Sequence, residues 1–581
     1  MSVATVRPKI DTEETRLNRF GNVALLLLIL TYFIVWVATR AHFMADTIVY
    51  AEAILVHQHG GGSVDYRLLT SNPFWDFGHV LWRPFGWLCF VITKPVTRLF
   101  AEHSEQGQVI LTLIGINFVA GLACVCFFSL LAKRVVGPTW SAALATLGLL
   151  SADAFLNYAH SGSPYEVGIA CLVAGTYFSF GEIFPASSMA SAFVAAVMLD
   201  LAVLFWFPYA FVLPASILAP ALIRGQDLWR RRFAAQTFAA CVVIGVVVYA
   251  PTIAILGIRN IADLRDWILA SGHGHVQPGG LRLLARVAFS VPRSFVNMNR
   301  DGIWLKRYLL HDPYAPVTRA DLLRLSLWKL AVFYLSAGIV CIELLLSKPG
   351  RTLLLVLASA ALPILIFAAF IFEAGSIERY LPLYPFVFLA CGYVLAATKT
   401  TRVSKLLIVV TLMVTAVVNI NAMRTATLES VKTRATSRIQ DLVPLLGPNS
   451  LVMAVNEQDS LAEFRQNFPL DPINLTGQWR TYDMLEINSE RLSTWREDFA
   501  KQVLAAWRRG GTVWLPERVL RSRPSPDWNW VEGDDKRVRW ADLPLFFSQL
   551  RKGQLVGGED GFVSIDNDPT NREFLTRLAE K

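Results

Sequence analysis

Eleven apolar stretches constrain this chain more than any other feature of its sequence. Each has roughly the 20 residues that an α-helix needs to cross the hydrocarbon core of a bilayer. They lie at 21–40, 108–132, 139–158, 164–184, 188–206, 207–223, 233–256, 326–346, 351–372, 380–397 and 404–421. Only 17% of the 581 residues are charged. Because backbone groups in lipid must be paired within their own segment, the pattern predicts a polytopic α-helical membrane protein with about 11 transmembrane helices.

The basic residues between these stretches predict the orientation of the chain. Cytoplasmic loops carry an excess of Lys and Arg, so the basic N-terminal tail, residues 1–20, is expected to be cytoplasmic. The other basic clusters fall on the same side only if residues 79–100 form an amphipathic helix in the outer interface instead of crossing. These clusters are Lys133-Arg134, Arg230-Arg231-Arg232, Lys348 with Arg351, and Lys399 with Arg402 and Lys405. The alternative, a crossing at 79–100, gives twelve helices and moves the C-terminus to the cytoplasm.

With eleven crossings, the transmembrane module covers residues 21–421, and its long loops 41–107 and 257–325 are external. Residues 422–581 are then expected to form a small, soluble, extracytoplasmic α/β domain. Strands are predicted at 450–455 and 512–515, a helix at 490–509, and loops in the remainder.

The seven cysteines all lie in apolar stretches outside this domain. That distribution suits a bacterial inner (plasma) membrane. The net charge is +9, but no basic stripe is interleaved with aromatic residues, so a nucleic-acid partner is not expected.

Asp46 is the most informative single residue. It follows the first apolar stretch, where the chain first emerges on the external side. A carboxylate at that place suits a general base that takes a proton from an acceptor nucleophile at the membrane surface. A solvated loop residue or a helix N-cap is the alternative interpretation.

A second polar group follows in the same loop. If the segment is helical, Asp76, His79 and Arg83 fall on one face. The planar fork of Arg83 suits phosphate oxygens, whereas the alternative is an interfacial helix facing lipid headgroups. Late in the chain, Glu378 and Arg379 lie at the external end of a predicted helix, where a cation can hold a lipid phosphate or simply snorkel.

Several acidic and histidine residues are weaker candidates. Asp153, His160 and Glu166, together with Asp46, are candidate ligands for a divalent metal such as Mg²⁺ or Mn²⁺, although their spacing matches no specific motif. His273 lies two residues before a second histidine in a Gly-rich loop. Asp200 lies within an apolar stretch, where a charge is costly and is retained either for function or to bond a neighbouring helix.

The order of these features resembles the GT-C glycosyltransferases, over roughly residues 20–420. The likeness rests on the first-loop acid Asp46, the two long external loops and the late segment Glu378-Arg379-Tyr380-Leu-Pro-Leu-Tyr-Pro385. Protein O-mannosyltransferases and the enzymes that transfer sugars to lipid A are members of this family. The chain departs from them because Asp46 is followed by Thr47 instead of a second acid, which points to a distant branch.

The resemblance implies inverting transfer of a sugar from a polyprenyl-phosphate donor at the outer face of the membrane. It implies that Asp46 is the base and that Arg379 and Tyr380 contact the donor phosphate. Arg83 is predicted to bind the same phosphate, with His79, Glu378, Asp200 and His273 as supporting residues. The implied partners are the lipid-linked sugar, membrane lipids and a lipid, glycan or protein acceptor. An O-antigen ligase or polymerase, which uses a diphosphate-linked donor, and a transporter, which places polar residues at the bilayer midplane, remain alternatives.

Overall fold

A computed structural model gives the fold of most of the chain. It describes residues 12–40, 45–60, 74–101, 105–137, 139–180, 188–224, 228–271, 281–298, 327–372, 375–424, 441–447, 449–454, 480–484, 493–521, 542–558 and 561–580, with short pieces at 308, 318–322 and 538.

The described chain up to Arg424 is built of helices, and each of the eleven predicted stretches overlaps one helix or two consecutive ones. The α-helices are α1 Thr12–Ala38, α2 Ala45–Gln58, α3 Trp82–Thr97, α4 Glu105–Val136, α5 Thr139–Leu150, α6 Asp153–Ala159, α7 Tyr165–Ser179, α8 Ser188–Phe205, α9 Leu213–Arg224, α10 Leu228–Ile255, α11 Ile261–Ala270, α12 Leu281–Phe295, α13 Leu327–Leu345, α14 Lys348–Phe370, α15 Tyr384–Ala396 and α16 Arg402–Arg424. Shorter 3-10 helices are Phe77–His79, Phe207–Val212 and Ile377–Leu383, and a single helical turn, Arg319–Leu322, precedes α13.

Six helices in the described part are long and apolar enough to cross a membrane, and a bent pair makes a seventh candidate. Three shorter apolar helices, Asn22–Ala38, Met189–Phe205 and Phe207–Ile223, add to them. Such a set of helices identifies an integral membrane protein. The number of eleven crossings stays a prediction.

The stretch 139–158, predicted as one helix, is instead two helices bent by 64° between α5 and α6. The backbone is extended at Ala152, and the Ser151 hydroxyl bonds back to the Leu147 carbonyl. The Ser151 carbonyl accepts a hydrogen bond of 2.8 Å from the Asn419 amide of α16. The bend is stable because a neighbouring helix satisfies that exposed carbonyl.

The long loop after α1 contains helices that pack on the membrane module. The predicted amphipathic segment 79–100 contains α3, which buries Trp82 and Phe90 towards the neighbouring helices α2 and α4 and exposes Leu88 and Ile92. Its helical and amphipathic character is therefore confirmed. Its position in the outer interface stays a prediction.

The C-terminal part contains a mixed five-stranded sheet. The strands are β1 Leu451–Ala454, β2 Arg480–Asp483, β3 Val513–Pro516, β4 Lys552–Val556 and β5 Phe562–Ile565, in the order β2-β1-β3-β5-β4. β1 is parallel to β2 and β3, whereas β5 is antiparallel to β3 and β4. The helices are α17 Trp495–Arg508, α18 Asp542–Phe547 and α19 Pro569–Ala579, with short 3-10 helices at Val443–Leu445 and Glu517–Leu520. This region is the predicted small α/β fold.

The prediction that the rest of this region consists of loops is wrong. The β4–β5 hairpin turns at Gly557 and Gly558, both of which have positive φ, a conformation that glycine adopts without strain. α19 begins at Pro569 and is capped by Asp568, whose carboxylate accepts a hydrogen bond of 2.7 Å from the backbone N–H of Asn571. These turn and capping signals are present in the sequence and would have predicted both elements.

Candidate active site

Asp46 lies exposed in the first turn of α2, and two contacts fix that turn. The Tyr165 hydroxyl donates a hydrogen bond of 3.2 Å to Asp46 Oδ2. The next residue, Thr47, accepts the Gly162 N–H through its buried side-chain oxygen at 2.7 Å. A Cβ at Gly162 would lie 2.6 Å from the Thr47 methyl and 2.7 Å from Leu113, so only glycine allows this close approach. The first-loop carboxylate is therefore held against the α6–α7 turn.

Two neighbouring tyrosines connect Asp46 with the late motif. Tyr158 of α6 and Tyr165 of α7 meet edge to face, with ring centroids 4.6 Å apart. While Tyr165 bonds to Asp46, the Tyr158 hydroxyl donates to Glu378 Oε2 at 2.7 Å. The acid after the first helix and the Glu378-Arg379 motif, which are far apart in the sequence, thus belong to one cluster.

Arg379 lies in the same cluster and is held by aromatic faces. Its guanidinium carbon lies 4.0 Å from the Phe372 ring centroid and 5.6 Å from that of Trp206, distances at which a cation is attracted to a ring face. One of its nitrogens lies 3.8 Å from Glu378 Oε1. Trp206 also packs against Tyr165, with 4.7 Å between ring centroids. A positive charge is consequently fixed beside the tyrosine pair.

Two further residues of this region were missed by sequence reasoning. Arg293, in the last turns of α12, interacts electrostatically with Asp153 and Glu378 and adds a second cation. Arg293 lies within the predicted external loop 257–325 and belongs to no recognisable sequence motif. Nothing in the sequence therefore indicated its place in this cluster. Tyr50 lies one turn after Asp46 on α2, a spacing that could have revealed it. Burial, with the neighbouring Asp46 carboxylate, raises the pKa of Tyr50 well above its usual value, so it stays protonated.

Arg83 and Asp76 form a buried ion pair instead of an open polar face. Arg83 NH1 lies 3.2 Å from Asp76 Oδ2, and both side chains have no exposed surface. The predicted single helix is not formed, since Asp76 caps the 3-10 helix through the Gly78 N–H before α3 begins. The Arg83 guanidinium faces the Tyr50 ring at 5.2 Å. This burial argues against direct contact between Arg83 and a donor phosphate.

Replacing Asp76 with alanine is expected to destabilise the protein by about 3–5 kcal/mol, because a buried charge loses its ionic partner. Thermal unfolding in detergent measures the effect. The pair of Arg265 and Asp266 is a matched control: its atoms are also 3.2 Å apart, but the side chains are 71% and 45% exposed. Asp266→Ala should cost at most about 1 kcal/mol. Equal losses for the two variants would contradict a buried pair.

His79 joins the same region from the 3-10 helix. Its Nε2 lies 3.4 Å from the Tyr50 hydroxyl, and its Nδ1 lies 3.2 Å from the Phe205 carbonyl oxygen. Its ring also meets Tyr165 edge to face at 6.1 Å. His79 is therefore a neighbour of the residues that hold Asp46.

The remaining predicted site residues are Tyr380, Asp200 and His273. Tyr380 is fully buried next to Arg379. Asp200 of α8 interacts with Cys241 of α10, which favours a helix-packing role. His273 lies outside the described residues.

Comparison with solved structures finds the same fold in two other proteins. ArnT from Cupriavidus metallidurans, bound to undecaprenyl phosphate, matches over 94% of this chain and 98% of its own, with 14% identity and a TM-score of 0.52. The Archaeoglobus fulgidus oligosaccharyltransferase matches over 92% of this chain and 73% of its own, with 12% identity and a TM-score of 0.51. The chain has the GT-C fold. No family model and no curated protein sequence matches it.

The GT-C fold of this chain does not bring the four candidate metal ligands together. No group of three His, Cys, Asp or Glu side chains suited to a metal occurs within the described residues. His160 is engaged on both ring nitrogens, with Nδ1 2.7 Å from the Leu156 carbonyl oxygen and Nε2 2.8 Å from that of Trp36. Its ring stacks on the Trp36 indole. A histidine held in this way has no lone pair directed at an ion.

Two of the three acidic candidates, Asp153 and Glu166, do not face Asp46 either. Asp153 Oδ1 accepts a hydrogen bond of 2.8 Å from the Asn297 amide. Glu166 is fully buried, and a Cβ added at Gly121 of α4 would lie 3.2 Å from its Oε1. Asp46 alone of the four faces the tyrosine pair. These four residues do not form a ligand set for Mg²⁺ or Mn²⁺.

Proposed function

We propose that this protein is an inverting glycosyltransferase that moves a sugar from a polyprenyl-phosphate donor to an acceptor at the outer face of the membrane. The observation that carries the proposal is the tyrosine pair, which joins the exposed carboxylate of Asp46 to Glu378 and the Arg379 cation. A base and a phosphate-binding cation in one cluster are the two groups that this reaction requires.

The chemistry follows from these two groups. An acceptor hydroxyl attacks the anomeric carbon of the donor sugar, and its proton passes to the Asp46 carboxylate. The bond between that carbon and the phosphate oxygen breaks, and polyprenyl phosphate leaves with the electron pair. Arg379 stabilises the additional negative charge on the departing phosphate. Attack from the side opposite the leaving group inverts the configuration at the anomeric carbon.

The solubility of the donor explains why such a site belongs to a membrane protein. A polyprenyl tail dissolves in the bilayer, so its phosphate is confined to headgroup depth. ArnT, which shares the fold, is bound to undecaprenyl phosphate, and we extend that chemistry to the donor of this protein. The proposal includes a bacterial inner membrane, a cytoplasmic N-terminus, an extracytoplasmic C-terminal region and a lipid, glycan or protein acceptor from the cell envelope.

Turnover of lipid-linked sugars tests the proposal. The full-length protein in lipid nanodiscs is incubated with undecaprenyl-monophosphate sugars and extracts of the source organism's cell envelope. Released undecaprenyl phosphate is measured by mass spectrometry. We expect release from at least one monophosphate donor, and no release of nucleotide when nucleotide sugars are offered instead. Turnover of diphosphate-linked donors alone would indicate a ligase or polymerase, and vesicle uptake without bond cleavage would indicate a transporter.

A further inference from the structure

Tyr165 is held in place by contacts of its ring and its backbone carbonyl, which are independent of its hydroxyl. Its ring packs on Tyr158 and on Trp206, and its carbonyl oxygen accepts the Tyr209 hydroxyl at 2.8 Å. Tyr209 approaches so closely because Gly168 has no side chain: a Cβ there would lie 2.3 Å from the Tyr209 ring. The Tyr165 hydroxyl therefore reaches Asp46 from a fixed position.

Tyr158 is likewise held in place by packing, and its hydroxyl contacts Glu378, the second acid of the cluster. It is buried, with 5% of its surface exposed, and its ring is backed by Tyr165. Its hydroxyl donates to one oxygen of Glu378, while the other oxygen of Glu378 lies near Arg379. The orientation of Arg379 thus depends on a carboxylate that Tyr158 holds.

We propose that Tyr165 and Tyr158 are positioning residues, one for the base and one for the phosphate-binding cation, an inference that rests on the proposed function. Tyr165 holds the Asp46 carboxylate ionised and oriented towards the acceptor. Tyr158 holds Glu378, which in turn orients Arg379 towards the donor phosphate. We call this tyrosine pair, Tyr158 and Tyr165, the tyrosine bridge. Because the two rings pack together, the bridge sets the separation between the Asp46 carboxylate and the Arg379 guanidinium.

The physical basis is the preference of a charged group for a donated hydrogen bond. A hydroxyl that donates to a carboxylate favours its ionised form, which is the form that accepts a proton. Orientation adds to this effect, because a misplacement of about 1 Å can lower a rate by about 100-fold. Tyr50 on α2, Tyr158 on α6 and Tyr165 on α7 interact electrostatically with Asp46. His79 neighbours Tyr50 and Tyr165, and Glu378 and Arg379 neighbour Tyr158.

Phenylalanine variants separate the two roles, because they remove a hydroxyl and keep the ring. For Tyr165→Phe we expect kcat to fall by about 10- to 100-fold, a nearly unchanged donor KM, and an acidic limb of the pH–rate profile displaced to higher pH. For Tyr158→Phe we expect the donor KM to rise by about 10-fold, in line with one weakened charge-assisted contact. Tyr393→Phe is the control, since its hydroxyl bonds to Ser347, away from the cluster.

A structural role alone would lower the melting temperature of Tyr165→Phe without moving the pH profile, and that result overturns the inference. Wild-type kinetics in Tyr165→Phe would also overturn it, while an inactive Asp46→Asn would leave the proposed function intact. If Tyr165→Phe does not fold, 3-fluorotyrosine at position 165 decides the question. This more acidic hydroxyl should move the acidic limb to lower pH, and an unmoved limb contradicts the proposal.

Discussion

Asp46→Asn is expected to lower kcat by about 10²–10⁴-fold, the contribution that a general base makes to a reaction of this kind. Asparagine has nearly the same shape, and its side-chain oxygen can still accept the Tyr165 hydroxyl. It cannot take up the acceptor proton. Release of undecaprenyl phosphate in nanodiscs measures kcat, and the donor KM should stay within about two-fold because the Arg379 cation is untouched.

Asp266→Asn is the matched control for this variant. Asp266 is exposed on α11, where it pairs with Arg265 outside the cluster. Both variants should unfold at wild-type temperatures, since Asp46 is exposed and contributes no core packing. Wild-type turnover by Asp46→Asn would remove Asp46 as the base and, with it, the mechanism proposed above.

Arg379→Ala is expected to raise the donor KM by about 10- to 100-fold, as a charge-assisted contact of about 1.5–3 kcal/mol is lost. The side chain is only 10% exposed and lies beside Glu378, so the truncation also costs stability. Arg379→Lys separates the two effects. It retains the charge but loses the planar fork, and we expect an intermediate donor KM with a nearly normal melting temperature.

Donor saturation curves in nanodiscs test this prediction, with Arg265→Ala as an exposed control. An unchanged donor KM in both Arg379 variants, accompanied by a lowered melting temperature, would make Arg379 a structural counter-ion of Glu378. The donor phosphate would then require another cation. Arg293, which interacts electrostatically with Glu378, is a candidate for that role.

Apolar stretches were sufficient to predict most helices of the membrane part. Charge and its position along the chain singled out Asp46, Glu378 and Arg379, which the fold brings into one cluster. The tyrosine bridge could not be predicted in this way. Tyr158 and Tyr165 stand in or beside apolar stretches, where a tyrosine usually packs in the core with its hydroxyl satisfied locally. Only the bend between α5 and α6 and the following turn direct both hydroxyls to carboxylates from distant parts of the chain.

Arg83 illustrates a different limit. Its spacing from Asp76 correctly indicated that the two side chains can meet, but spacing does not reveal burial. The pair lies inside the protein, where the Arg83 guanidinium also faces the Tyr50 ring of α2. Likewise, His160 and Glu166 are close to Asp153 in the sequence, yet a turn and a change of helix place the three side chains in different surroundings. Nearness along the chain was a poor guide to a shared ligand set.

The joining of Asp46 to Glu378 has a consequence for biosynthesis. A ribosome adds about 5–20 residues per second, so the two halves of the cluster emerge tens of seconds apart. During that interval the Asp46 carboxylate has neither the second acid nor the cation beside it. Under the proposed function, a partly made chain is therefore not expected to turn over a lipid-linked sugar. Activity of that kind would begin only after the segment with Glu378 and Arg379 has been made.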